Sequence, residues 1–133
     1  MDRKLFLFYG LVGWPIATLL HRLVGQVYFR ADVPLILALL WIGMTLFMIV
    51  ITVGVFRWKA LSRSERYEAV VLFCAPAMAL DALVVEFYEL LFPNMPAAAG
   101  NSYGAWILIT YATCLLCAFL PVRQDAPDPQ ARV

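Results

Sequence analysis

Charge is scarce in this chain. Asp, Glu, Lys and Arg make up 14% of its 133 residues against 64% hydrophobic, and the formal net charge is +1. A soluble core of that length cannot hide so much apolar surface, so composition points into a membrane. The near-zero net charge leaves no electrostatic footprint for nucleic acid. Histidine occurs once, at His21, and a lone histidine cannot make a two-histidine metal or haem site within one chain. Cys74, Cys114 and Cys117 all lie inside apolar runs, which argues against the disulfide framework of a small secreted protein. There is no glycine-rich phosphate loop and no nucleophile motif, so nothing points to phosphotransfer or hydrolysis. The expectation is a protein that is not an enzyme and uses no cofactor or metal.

What the chain does have is long apolar runs. Span one covers about residues 5–25, with Gly10, Gly13 and Ala17 as small residues at helical spacing that let a neighbouring helix approach. Pro15 removes a backbone hydrogen bond within it and predicts a kink. Basic residues precede this run as in a signal peptide, but no small-x-small cleavage site follows, so it reads as retained. Tyr28 and Phe29 fall at headgroup level. Span two, residues 33–56, carries no charge, with Asp32 as a plausible N-cap and Pro34 in the first turn. The polar segment RWKALSRSERYE follows, where Ser62 and Glu65 have capping-box spacing and start a helix near Arg63.

Span three, residues 69–92, would belong to a helix from Arg63 to Phe92, ~45 Å long at 1.5 Å per residue, with a kink at Pro76. The connection PNMPAAAGNS leads to Asn101 or Ser102 as the cap of span four, residues 103–122, with Tyr103 and Trp106 as interfacial anchors. The tail 123–133 is polar and proline-containing and is expected to be a disordered cytoplasmic segment. The predicted fold is therefore all-α: an integral membrane bundle of four antiparallel transmembrane helices over residues 1–122.

Basic residues set the orientation. Arg3 and Lys4 precede span one; Arg57, Lys59, Arg63 and Arg66 lie between spans two and three; and Arg123 and Arg132 lie in the tail. The connection after span three has none, and the one after span one has Arg30. The positive-inside rule then places both termini in the cytoplasm of a cell whose inner (plasma) membrane holds the protein.

The stretch AVVLFCAPAMALDALVVEFYELLFPN poses the chemical question, because it carries Asp81, Glu86 and Glu89 within an apolar run. An acid at mid-bilayer costs roughly 2.5–3.5 kcal/mol on insertion scales, so it needs a partner, a proton or water. Counting from Ala69, Asp81 lies ~18 Å in and Glu86 and Glu89 ~26 and ~30 Å in. Counted from Leu5, His21 and Arg22 lie ~24–26 Å in, at the same level. His21, Arg22, Asp81, Glu86 and Glu89 are thus a candidate intramembrane charge cluster. On the structural reading Arg22 pairs with Glu86 or Glu89 and fixes helix register, while Asp81 sits neutral or hydrogen-bonded. On the functional reading Asp81 is a proton- or cation-coupled site.

Cys114 and Cys117 form a Cys-x-x-Cys in span four that resembles the motif of four-helix membrane thiol oxidoreductases. Both sulfurs fall in the inner half of the span, and no extramembrane cysteine pair exists to relay electrons. The plain alternative is three small residues that pack well.

Leu80-Asp81-Ala82, Phe92-Pro93-Asn94, and Gly104-Ala105-Trp106 with Tyr111 beyond, together with SRSER at 62–66, make a pattern over nearly the whole chain apart from the tail. It resembles a family of small four-span bacterial membrane proteins catalogued only as a domain of unknown function. The resemblance implies a four-helix inner-membrane protein and brings no activity with it. Small multidrug exporters share the size and span count but keep a glutamate in the first span, where this chain has none.

The leading expectation is a non-enzymatic membrane protein whose partners are the lipid bilayer and either itself or a larger membrane complex. The alternatives are a small proton-coupled transporter using Asp81 and, third, a thiol or quinone oxidoreductase using Cys114 and Cys117.

Overall fold

The computed structural model describes residues 1–29 and 32–122, so Arg30 and the tail expected to be disordered, 123–133, lie outside the described residues. Among the described residues the regular elements are all helical: α1 (Arg3–Tyr28), α2 (Pro34–Trp58), α3 (Arg63–Glu86), a single turn α4 (Tyr88–Leu91), a 3-10 turn (Ala97–Ala99) and α5 (Gly100–Cys117). Helices α1, α2 and α3 are each long and apolar enough to cross a membrane. Helix α5 has 18 residues and opens on the polar Asn101 and Ser102.

Local sequence explains most helix ends. Asp2 caps α1 by accepting from the backbone N–H of Lys4 and Leu5 at 3.1 and 3.4 Å. The Ser62/Glu65 capping box forms in both directions, Ser62 Oγ accepting from Glu65 N and Glu65 Oε2 from Ser62 N. Pro34 sits in the first turn of α2, but the N-cap is Val33 and not Asp32, and the Val33 side chain has no group to cap with. The start of α5 also differs from expectation. Neither Asn101 nor Ser102 caps it, because the 3-10 turn before Gly100 feeds the chain directly into helical geometry.

Helix α2 ends in a Schellman motif, with Leu61 N donating to Phe56 O at 3.0 Å and Ala60 N to Arg57 O at 3.2 Å. The residue at its left-handed position is Ala60, φ 49°, where glycine is usual.

The helix from Arg63 does not continue to Phe92. It ends at Glu86, and Phe87 takes φ −101° and ψ 30°. Backbone hydrogen bonds still bridge the break, from Phe87 N to Leu83 O and from Leu91 N to Phe87 O, each 3.0 Å. The reason is aromatic packing. Tyr88 and Phe92 are buried after the break, and both rings pack on Tyr103 of α5 at 5.5 and 5.1 Å. Periodicity alone does not reveal that demand.

Contacts between α1 and α3 advance in step. Arg3 pairs with Glu68, Gly10 meets the backbone of Phe73, and Trp14 reaches Asp81. These two helices therefore run the same way. Helix α5 runs back along α3, with Tyr103 beside Tyr88, Tyr111 on Asp81, and Leu120, just past its end, on Arg66. It also packs on α2, where Thr52 Oγ1 donates to Cys114 Sγ at 3.7 Å. Helices α1 and α2 pack much less closely than α1 and α3 do. Gly10 is required on the tight side: a Cβ there would lie 2.4 Å from the Phe73 carbonyl oxygen.

Candidate functional site

Asp81 lies one turn beyond Ala77 on α3 and is 8% exposed. Its two oxygens are held from two other helices. Trp14 Nε1 of α1 donates to Oδ1 at 2.8 Å, and the Tyr111 hydroxyl of α5 donates to Oδ2 at 2.5 Å. A carboxyl in apolar surroundings needs such donors, and this one ties three helices together with them.

His21 lies seven residues beyond Trp14, two helical turns along the same face of α1. It is buried, and its Nδ1 lies 2.7 Å from the Ala17 carbonyl oxygen. A carbonyl can only accept, so Nδ1 carries the proton. Rings of Tyr28, Tyr103 and Trp106 surround the imidazole with centroids 5.7, 5.4 and 4.8 Å away.

Asp81 and His21 both line a cavity of about 190 Å³ between α1, α2, α3 and α5. Trp14, Met44, Met48, Phe73 and Ile107 supply much of its apolar wall. Gly13 and Ala17 line it while remaining exposed, so it opens beside them on the outer surface.

The expected charge cluster is divided. His21 and Asp81 share the cavity, but Arg22, Glu86 and Glu89 are exposed. Among the described residues no ion pair joins Arg22 to either glutamate; its guanidinium instead donates to the carbonyl of Leu91. The break at Phe87 explains this correction. It ends the regular turn from which Glu86 and Glu89 were aligned, and it leaves the Leu91 carbonyl at the end of α4 in need of a donor. Asn94 adds to this end by donating to the Arg22 carbonyl at 2.7 Å and to Gln26. Glu86 and Glu89 line a separate surface groove with Asn101 and Gly104.

The cysteines also sort differently from their sequence motif. All three are buried free thiols. The thiol of Cys114 accepts from Thr52 Oγ1 and lies beside the thiol of Cys74 on α3. Reading by sequence missed Trp14 and Tyr111 as the partners of Asp81. Counting depth had a signal for one of them: Trp14 lies ~14 Å beyond Leu5, within a turn of the level of Asp81.

Residues 28–125 match the model of a family of unknown function, DUF5367. That region holds Asp81, Trp106 and Tyr111, whereas Trp14 and His21 precede it. Neither a curated protein nor a solved structure matches the chain.

Proposed function

We propose that this chain, which belongs to the DUF5367 family of unknown function, is a non-enzymatic integral membrane protein. It acts by association with itself or with a larger membrane complex. Four antiparallel spans, α1, α2, α3 and α5, cross the inner membrane of a bacterial cell with both termini cytoplasmic. One observation carries this reading: both oxygens of Asp81 are spent on Trp14 and Tyr111. The acid in the middle of the apolar run serves as a three-helix tie. The exterior supports the bilayer setting, since Leu39, Val50, Leu83 and Leu108 are each more than half exposed.

Two measurements test the proposal. Light scattering on protein purified in mild detergent should give a mass above that of one chain, or a stable co-purifying membrane protein. A lone monomer from native membranes overturns the association reading. For topology, single cysteines at Ser64 and Ala98, with the native three replaced, should label from opposite sides of intact cells. Labelling of the Ala98 site only after lysis reverses the orientation.

Proton-coupled transport is the second reading, favoured by the cavity that reaches Asp81. It requires the carboxyl to release Trp14 and Tyr111 in turn. Uptake into proteoliposomes driven by a pH gradient and abolished by Asp81→Asn would move it to the front.

A further inference from the structure

The two ends of the bundle carry opposite charge. At one end the start of α1, the connection between α2 and α3, and the end of α5 come together, with Phe6, Phe56, Leu61, Ala118 and Val122 in a shared core. Six basic side chains belong to this end, Arg3, Lys4, Arg57, Lys59, Arg63 and Arg66, against three acids, Asp2, Glu65 and Glu68. Among the described residues the opposite end has Arg22 against Asp32, Glu86 and Glu89.

The acids of the basic end serve local structure. Asp2 caps α1, Glu65 closes the capping box of α3, and Glu68 pairs with Arg3. Arg57, Lys59 and Arg63 follow one another with no acid between them, and Arg57 and Arg63 are exposed. The Lys59 ammonium stands over the ring of Trp58, 4.2 Å from its centroid, and Trp58 is 73% exposed. An exposed indole at the end of an apolar helix, with a cation on its face, suits the depth of lipid headgroups. Close to this row Arg63 and Arg66 line a surface crevice of about 440 Å³ with Phe119, Leu120 and Pro121. Arg66 is fixed at its back by donating to the Leu120 carbonyl at 2.9 Å, while Phe119 is exposed.

Cations bordered by exposed rings match a ligand with an anionic head on an apolar body. A soluble anion would answer the cations and leave Trp58 and Phe119 in water. A lipid without net charge would cover the rings and leave the cations unanswered. We propose that this end of the bundle binds anionic phospholipid, the headgroup among Arg57, Lys59 and Arg63 and the chains against Trp58, Phe119 and α2. This rests on the membrane-spanning reading above and adds to it a choice of lipid, made at one end of the molecule only.

The test reconstitutes the full chain in phosphatidylcholine bilayers and adds spin-labelled phosphatidylglycerol or spin-labelled phosphatidylcholine. Electron paramagnetic resonance then measures the fraction of each label held motionally restricted by the protein. One cation near an anionic headgroup is worth about fivefold in association, so phosphatidylglycerol should exceed phosphatidylcholine by about that factor. The exposed-site variant Arg57→Gln/Lys59→Gln/Arg63→Gln should bring the ratio close to one, and Arg22→Gln at the opposite end should leave it unchanged. Equal restriction of the two labels by the unaltered protein overturns the proposal alone, with no variant having to fold. So does a preference that survives the triple substitution, or one that Arg22→Gln removes equally well. No restricted component for either label overturns the membrane-spanning reading, and the proposal with it.

Discussion

Where α1 begins, the core is made of small and aliphatic residues, Ala69, Val70, Cys117 and Ala118 among them, closed by Phe6 and Phe56. At the opposite end Phe29, Tyr88, Phe92, Tyr103 and Trp106 fill the space with rings. The narrow end is shaped by backbones in contact, as at Gly10 and Phe73, where there is no room for a methyl group. At the ring-filled end Gly25 also faces a tight neighbour, but there it is the flexible thioether of Met95. The first end resists added atoms and the second resists their removal. Unpartnered polar atoms concentrate at the second: His21, Trp41, Tyr88 and Trp106 all contribute one. Packing by large rings fills volume efficiently but does not supply a hydrogen-bond partner for every N–H and O–H they carry.

The contrast can be broken most severely at Tyr103, whose ring meets His21, Phe29, Tyr88, Phe92 and Trp106. Tyr103→Ala should lower unfolding free energy in mild detergent by about 3–5 kcal/mol. An effect no larger than that of Val70→Ala would erase the distinction between the two ends.

Gly10→Ala should come next, losing about 1–3 kcal/mol to overpacking despite the better helix propensity of alanine. Gly25→Ala, facing a side chain that can swing away, should lose less. The reverse order in the same melting assay would show that α1 and α3 are not locked at Phe73.

Asp81→Asn should be milder still, about 1 kcal/mol. Asparagine can offer its carbonyl to Trp14 and its amide to the Tyr111 hydroxyl, which can accept as well as donate. Asp81→Ala, which abandons both donors, should cost more in the same measurement.

Ala60→Gly should act in the opposite direction, raising stability by about 1 kcal/mol by relieving the left-handed alanine at the α2 terminus. No gain in unfolding free energy would mean that the turn carries no such strain. Smallest of all is Arg22→Ala, worth a few tenths of a kcal/mol now that the side chain is an exposed donor to one carbonyl. A loss of several kcal/mol would restore a buried ion pair at this position.

What the sequence made legible was local or compositional. The Ser62–Glu65 box could be read because both partners lie within one turn. The three membrane-length helices announced themselves by apolar length. Small residues on α1 pointed to close packing, and Gly10 provides it, while Gly13 at the same spacing faces open space. That difference depends on how α1 is rotated, which spacing does not determine. Asp81 stood out as an acid in an apolar run, but its partners depend on the mutual rotation of three helices. The expected Arg22 pairing failed because it extended one straight helix to Phe92, and the break at Phe87 comes from rings on α5 far along the chain. Tyr111 belonged to the family-like pattern together with Asp81, and the hydrogen bond between them is a physical reason for the two to occur together.

Biosynthesis gives the α5 contacts a further meaning. Arg66, 0% exposed at the start of α3, donates to the carbonyl of Leu120 just past the end of α5, and Asp81 takes one of its two donors from Tyr111 on that helix. In a chain made from its N-terminus, both groups are made before these partners exist. Until α5 is in place the carboxyl is half-served and the arginine lacks its carbonyl partner, so the polar contacts of α3 are the last to be completed.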